Sequence, residues 1–223
     1  MNNTKEIIKI QSHIRKYLSY RDVNDKRFGV ILNKLVDKLS LRICKYHELF
    51  SLPLIGEQWE ETLHRSFEDI GYSTTWVPNR SHKIGEDMSL KNISKTRISC
   101  KSGQLVKNKT LDKNCVKFNG SRTTSYKTLE EKIRHLSKSH DDYYFMLSKT
   151  KPFNFRYKLL VFNSSICKVD KLDWCLSKSG KSWNGNGAFI ATIGKSMSDQ
   201  LWTTLPIDKI QYVIDIDCRK IED

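Results

Sequence analysis

The run from residue 57 to residue 165 constrains the fold most, because its segments alternate in character. EQWEETLHRSFEDIGY carries a helical apolar stripe through Trp59, Leu63, Phe67 and Ile70, and Gly71 supplies a stop. YSTTWVPN has strand character before Pro78 and Asn79 turn the chain, and RSHKIGEDMSL is polar around a glycine. TRISCKSGQL sets Ile98 and Cys100 against Ser99 and Lys101, as a strand with two unlike faces does. TLEEKIRHLSKSH is helical again, with Thr128 as N-cap and Glu131 three residues on, the spacing of a capping box. DYYFMLSK and FRYKLLVFNSS are aromatic and apolar strands joined by the TKPFN turn. The order helix, strand, strand, helix, strand, strand predicts an α/β core, a central mixed sheet flanked by helices, over residues 54–165.

The flanks are less regular. Residues 1–53 read as an N-terminal helical arm. One helix runs over 4–19 with Ile7, Ile8, Ile10, Ile14, Tyr17 and Leu18 near one face. A second runs over 28–50 through Val30, Ile31, Leu35, Leu39, Leu41 and Ile43. SLPLIG, with Pro53 and Gly56, ends it. Whether this arm packs on the core, pairs with another subunit or embraces a ligand stays open at this level. The 22 residues VKNKTLDKNCVKFNGSRTTSYK (106–127) read as a loop. Residues 166–223 are expected to complete the core or to contact a ligand. There KVDKLDWCLS suggests a short helix and KSGKSWNGNG a loop. AFIATIG and QYVIDIDC look like strands, and Trp202 reads as a core residue.

Composition decides the kind of partner. Thirty-nine Lys and Arg stand against 25 Asp and Glu, a formal charge of +14, which favours a polyanion and above all nucleic acid. A chain rich in Lys, Asn, Ile and Ser is also what an AT-rich genome encourages. Six cysteines at 44, 100, 115, 167, 175 and 218 form no C-x-x-C, and no histidine pair has zinc-finger spacing, so free thiols in a reducing compartment are expected. No apolar run approaches the roughly 18–20 residues of a membrane span. The polar start MNNTKEIIKIQSH lacks a secretory signal, so a soluble cytoplasmic protein is expected. There is no G-x-S-x-G elbow, no Walker loop and no H-E-x-x-H, and the histidines are scattered without an HNH order.

Four residues combine into one candidate site. Ser99 and Lys101 share a face of the predicted strand, Asp87 lies twelve residues before Ser99, and Glu60 sits on the helix before both. Carboxylates supply the hard oxygen ligands Mg²⁺ needs. The metal polarises a phosphate and acidifies a bound water. A lysine can orient that water or balance charge growing on phosphoryl oxygens. Each residue also has a plainer reading. Glu60 and Glu61 suit the first turns of any helix, Asp87 suits a turn after Gly85, and Lys101 suits a basic surface.

GEQWEETLHRSFEDIGY, GED and SCK, in that order, resemble the PD-(D/E)XK nuclease superfamily, most of all its type II restriction endonucleases. Members carry an acid on a first helix, an Asp starting a hairpin and (D/E)-x-K on the next strand. The helix segment also resembles the G…E…L…GY pattern of Holliday-junction resolvases. The likeness covers about 45 of 223 residues. It departs twice: Glu86 stands where Pro is usual, and Ser99 where an acid is. Some restriction endonucleases are similar in having Ser or Asn there. The resemblance implies a restriction-endonuclease-like core with Asp87 as central Mg²⁺ ligand and Glu60 as a second. It implies the Cys100 carbonyl as a third ligand, Ser99 acting through its hydroxyl or a water, and Lys101 as catalytic lysine. Glu61 and Glu86 are substitutes for the missing acid.

Beyond the site, Ser121, Arg122, Thr123, Thr124, Ser125, Tyr126 and Lys127 enter a helix, where short hydroxyls and an arginine suit phosphate and base-edge contacts. A capped, solvated loop is the alternative. Lys181, Asn184 and Asn186 in SGKSWNGNG are candidates of the same kind, and a flexible turn is theirs. The expectation is a Mg²⁺-dependent type II restriction endonuclease. It would cut both strands of double-stranded DNA to 5′-phosphate and 3′-hydroxyl ends and act as a homodimer on a palindromic site. A structure-selective resolvase or repair nuclease, and a non-catalytic nucleic-acid-binding protein, are the alternatives.

Overall fold

Ile31, Leu32, Leu35, Val36, Leu39 and Ile43 recur at helical intervals and are all buried, which makes Lys26–Leu49 helix α1 a layer of the core. The computed structural model describes residues 26–76, 87–91, 96–138, 142–150, 153–195 and 199–218. The helix expected over 4–19 lies outside them. Helix α2 (Gly56–Asp69) buries Trp59, Leu63 and Phe67 against α1 and the sheet. It ends in a Schellman turn: Gly71 has φ 85°, its N–H donates to the Glu68 carbonyl, and the Tyr72 N–H donates to that of Phe67. Arg42 of α1 forks onto Asp69 of α2, Nε to Oδ2 at 2.8 Å and Nη2 to Oδ1 at 2.9 Å.

Strands β1 (Met88–Leu90), β2 (Thr96–Asn108) and β3 (Lys113–Arg122) follow, then helix α3 (Leu129–Ser137), β4 (Tyr143–Lys149) and β5 (Arg156–Asn163). The chain closes with β6 (Asp173–Leu176), β7 (Ser182–Asn186), β8 (Ile190–Gly194), β9 (Gln200–Pro206) and β10 (Tyr212–Asp217). All ten lie in one mixed sheet of order β10-β5-β4-β2-β3-β9-β8-β7-β6, with β1 added beside β2. β2 and β4 are parallel, Ile98 facing Tyr143 through Gln104 facing Lys149, while the other pairs are antiparallel. The parallel pair needs a long return path, which β3 and α3 provide. The capping box of α3 is present: the Glu131 N–H donates to Thr128 Oγ1, and Glu131 accepts from the Thr128 N–H.

β4 and β5 are apolar through their middles, residues 145–147 and 159–162, because both faces are covered there. Phe145, Leu147, Tyr157, Leu159 and Val161 face α1 and α2, while Met146, Leu160 and Phe162 belong to a second core with Val116, Phe118, Ala191 and Ile193. The α/β architecture with a mixed sheet is as expected, and the sheet runs on through the C-terminal strands to residue 217.

Five expectations are corrected. The predicted loop 106–127 is mostly the β2–β3 hairpin, turning through Asp112 at φ 45°, with Asn108 Oδ1 accepting from the Leu111 N–H. Lys and Asn on the solvent face of β3 dilute its alternation, although Val116 and Phe118 are buried. KVDKLDWCLS holds a short 3-10 turn and then β6, and Ser182–Asn186 of the predicted loop is β7. The residues described in YSTTWVPN contribute only an isolated bridge, Thr74 to Leu90. Cys44 of α1 and Cys218 after β10 form a disulfide with Cα atoms 4.8 Å apart, whereas free thiols were expected. They are 174 residues apart, so no spacing announces the pair.

Two outcomes follow from this packing. A Cβ on Gly103 would sit 2.6 Å from Val116 Cγ2 and 2.8 Å from Ser148 Oγ, besides meeting Met146 Sδ. Gly103→Ala should therefore lower stability by about 1–3 kcal/mol, read as a fall in the melting midpoint; an unchanged midpoint would refute the close fit. The Arg42 hydrogen bond holds the Asp69 carboxyl below its usual pKa. Stability from that pair is then full above the unfolded carboxyl value of about 3.9 and is lost as pH falls through the lower folded value. Asp69→Asn should melt earlier at neutral pH and show a shallower acid limb, as pH-dependent melts will reveal.

Candidate active site

β2 is served by different neighbours along one edge. β1 pairs with it over 96–98 and β3 from Gln104 onward, so residues 99–103 lie in a fork between the two. Asp87, the residue before β1, fills the start of that fork, its N–H donating to the Ile98 carbonyl at 3.2 Å. Its Oδ2 accepts three hydrogen bonds: from the Cys100 N–H at 2.6 Å, Ser99 Oγ at 3.1 Å and Lys101 Nζ at 3.2 Å. The side chains of Asp87 and Lys101 keep only 15% and 23% of their exposure, so charge-assisted bonds act here with little solvent screening. Oδ1 accepts no hydrogen bond among the described residues. In an extended strand the N–H and C=O of one residue point the same way, so the Cys100 carbonyl faces the fork too.

The fork opens into a cleft of about 660 Å³. Its walls come from the start of α2 with Trp59 and Glu60, from β2 at Cys100–Gln104, from β3 at Lys117–Asn119, and from Lys149, Tyr157 and Trp202. Glu60 Oε2 accepts from Trp76 Nε1 at 3.3 Å, which holds the second carboxylate at the cleft wall. Lys101, Lys117 and Lys149 line the same space, giving it an excess of cations suited to an anionic ligand. Tyr157 serves the packing of the cleft floor, since its hydroxyl accepts from the Leu54 N–H at 2.9 Å and lies 2.7 Å from His47 Nε2. Burial pushes its pKa up to about 12, so the phenol stays neutral.

The donor set fits a hard cation. Asp87 Oδ1, the Glu60 carboxylate and the Cys100 carbonyl are all oxygens, and Mg²⁺ is commonly held by one or two carboxylates with substrate phosphate and water completing its shell. No group of three or more His, Cys, Asp and Glu side chains gathers among the described residues. Ser99, 1% exposed, spends its hydroxyl on Asp87 and so positions the carboxylate. Of the substitute acids, Glu61 is half exposed and lies 3.8 Å from Arg65, and Glu86 lies outside the described residues.

The other candidates fall in two places. Ser121 and Arg122 end β3, and Thr124, Ser125 and Lys127 continue on the surface toward α3. Thr123 is buried, its hydroxyl donating to the Asp199 carbonyl at 2.5 Å, and Tyr126 stacks on His135 with Oη 2.9 Å from Nδ1. These two hold the loop and do not face outward freely. Lys181, Asn184 and Asn186 belong to β7 and its preceding turn, separated from β3 by β8 and β9 and away from the cleft. Sequence reasoning missed Lys117, Asn119 and Trp202. Trp202 was expected in the core and is 42% exposed. Its signal was available, since Leu201, Thr203 and Leu205 are the buried alternation of β9 and leave Trp202 on the opposite face.

Compared with known proteins, the chain matches no family model, no curated protein and no solved structure.

The fit to a cation has a direct check. Calorimetric Mg²⁺ titration should show Asp87→Ala losing the binding of the wild type. Ser99→Asp, which adds a negative charge, should bind more tightly. A Ser99→Asp variant no better than wild type would argue against a cation at this fork.

Proposed function

We propose that this chain is a Mg²⁺-dependent endodeoxyribonuclease of the PD-(D/E)XK kind, and in its finer form a type II restriction endonuclease acting as a homodimer on duplex DNA. The observation that carries the reading is the Asp87 carboxylate, bound by Ser99, Cys100 and Lys101 at the mouth of a lysine-lined cleft that Glu60 shares. The elements agree with the resemblance: an acid on α2, an Asp opening the β1–β2 hairpin and a lysine two residues after Ser99 on β2. A net charge of +14 suits the phosphate backbone as ligand.

Asp87, Glu60 and the Cys100 carbonyl would hold the Mg²⁺, which when bound polarises the scissile phosphate and lowers the pKa of a water. Ser99 and the Cys100 N–H fix Asp87 through Oδ2, so that its other oxygen would be the one offered to the cation. Lys101 is poised to donate to the attacking water or to a phosphoryl oxygen, where its charge offsets the negative charge that develops. Lys117 and Lys149 can neutralise flanking phosphates.

Supercoiled plasmid incubated with the protein and Mg²⁺ or Mn²⁺ tests this. Linear product cut at one short sequence, with 5′-phosphate ends, is the expected result. Cutting only at branched or distorted DNA would favour the structure-selective alternative, and no nicking at all would leave a non-catalytic binding protein. Asp87→Ala and Lys101→Ala should each lower cleavage by about a hundredfold or more, while binding to labelled DNA survives. Undiminished cutting by either variant would remove that residue from the site.

A further inference from the structure

The sheet is covered unevenly. The middles of β4 and β5 are buried on both faces, but across β3, β9, β8, β7 and β6 one face is left largely to solvent. The register defines what that face presents. Asn119 lies directly opposite Trp202, Trp202 opposite Thr192, Thr192 opposite Asn184 and Asn184 opposite Cys175. One row of Cα partners thus crosses five strands, and Trp202 is its single large side chain. Both cross-strand neighbours of Trp202 are short and polar, so the indole stands above its surroundings with 42% of its surface exposed. Lys117 Nζ lies 5.4 Å from the ring centroid, a cation–π contact. Trp202, Lys117 and Asn119 also line the cleft that holds Asp87 and Lys101.

An exposed aromatic with a cation beside it, at the wall of a basic cleft, is the combination that binds an unpaired nucleotide: the base stacks on the ring and the lysine meets the phosphate. An amide opposite the ring can hydrogen-bond the base edge. We infer that Trp202, with Lys117 and Asn119, forms a stacking subsite for an unpaired base of the DNA strand lying in the cleft. The inference rests on the nuclease reading only in placing a DNA strand there. Under that reading, a duplex substrate is cut with one base near the scissile phosphate drawn out of its stack and onto the indole. The extended polar face beyond Trp202, with Thr192 and Asn184 in line, continues the path of that strand.

The test uses the whole chain with Ca²⁺ in place of Mg²⁺, so that binding is read without cleavage. The probes are labelled oligothymidylate and a blunt duplex of equal length. Wild type should bind oligothymidylate with quenching of tryptophan fluorescence. Trp202→Ala should bind about tenfold more weakly or worse. Trp202→Phe should keep most of the affinity and lose the quench. The chain has five tryptophans, so the difference between wild type and Trp202→Phe isolates this one. Melting midpoints of both variants guard against misfolding. Equal affinity of Trp202→Ala and wild type for oligothymidylate, or a saturated wild-type complex with unchanged fluorescence, would overturn the subsite. Trp202-dependent binding in a protein that never cuts plasmid would support the subsite while sinking the nuclease reading. Cutting that ignores Trp202 would do the reverse.

Discussion

A parallel strand pair inside an otherwise antiparallel sheet sets the terms for the rest of this molecule. β4 lies along one edge of β2 from Ile98 to Gln104, so the chain must travel from the end of β2 at Asn108 back to Tyr143 beside Ile98. That path is β3 and α3. Because β3 returns along the opposite edge of β2 and pairs only from Gln104 onward, and β1 reaches only Ile98, the middle of β2 has a paired edge and an open one. Backbone groups on the open edge need partners of another kind. Asp87 supplies one, accepting the Cys100 N–H. The site is therefore a product of the topology: a fork in hydrogen bonding that a carboxylate completes.

The serine at position 99 follows from the same geometry. An acid there would bring a second negative charge toward Asp87 in a place where both flanking side chains are largely out of water. Serine donates where an acid would repel, and its hydroxyl joins Lys101 and the Cys100 N–H on one oxygen of Asp87. Three donors on Oδ2 leave Oδ1 directed elsewhere. One carboxylate aimed by its neighbours, together with Glu60 across the cleft, makes a sparse acidic set. Such a set suits a cation that draws part of its shell from substrate phosphate.

How far the sequence disclosed this depends on which contacts are local. The three described helices were readable because their apolar stripes repeat at helical spacing and, for α3, because Thr128 and Glu131 write the cap into four residues. β4 and β5 were readable because burial on both faces makes their middles continuous apolar runs. β3 and β7 were not, since a strand with one wet face can hold Lys, Asn and Ser and look like a loop, and β6 and β9 were not recognised either. The same division applies to the cleft. Glu60, Asp87, Ser99 and Lys101 lie on successive elements and could be put in order from spacing. Lys117, Asn119 and Trp202 arrive through the pairing of β3 with β9, some 80 residues apart along the chain, and long-range pairing leaves no mark on either segment alone.

That pairing is itself held by a charge. The register of β3 and β9 shifts between Asn119 and Arg122, so the ladder alone does not secure the strand ends beside the cleft. Lys132, 5% exposed, reaches from α3 to Asp199 Oδ2 at 2.6 Å and to the Thr123 carbonyl at 2.9 Å, while the Thr123 N–H and hydroxyl both donate to the Asp199 carbonyl. Asp199 takes a positive φ of 38°, which an aspartate tolerates better than most residues. A buried ion pair of this kind is poor at adding net stability, but removing one partner leaves an uncompensated charge, so it enforces one arrangement over others. Here it ties α3, the end of β3 and the start of β9 to a single point. Trp202 stands three residues from that anchor, and its place at the cleft wall is set by it.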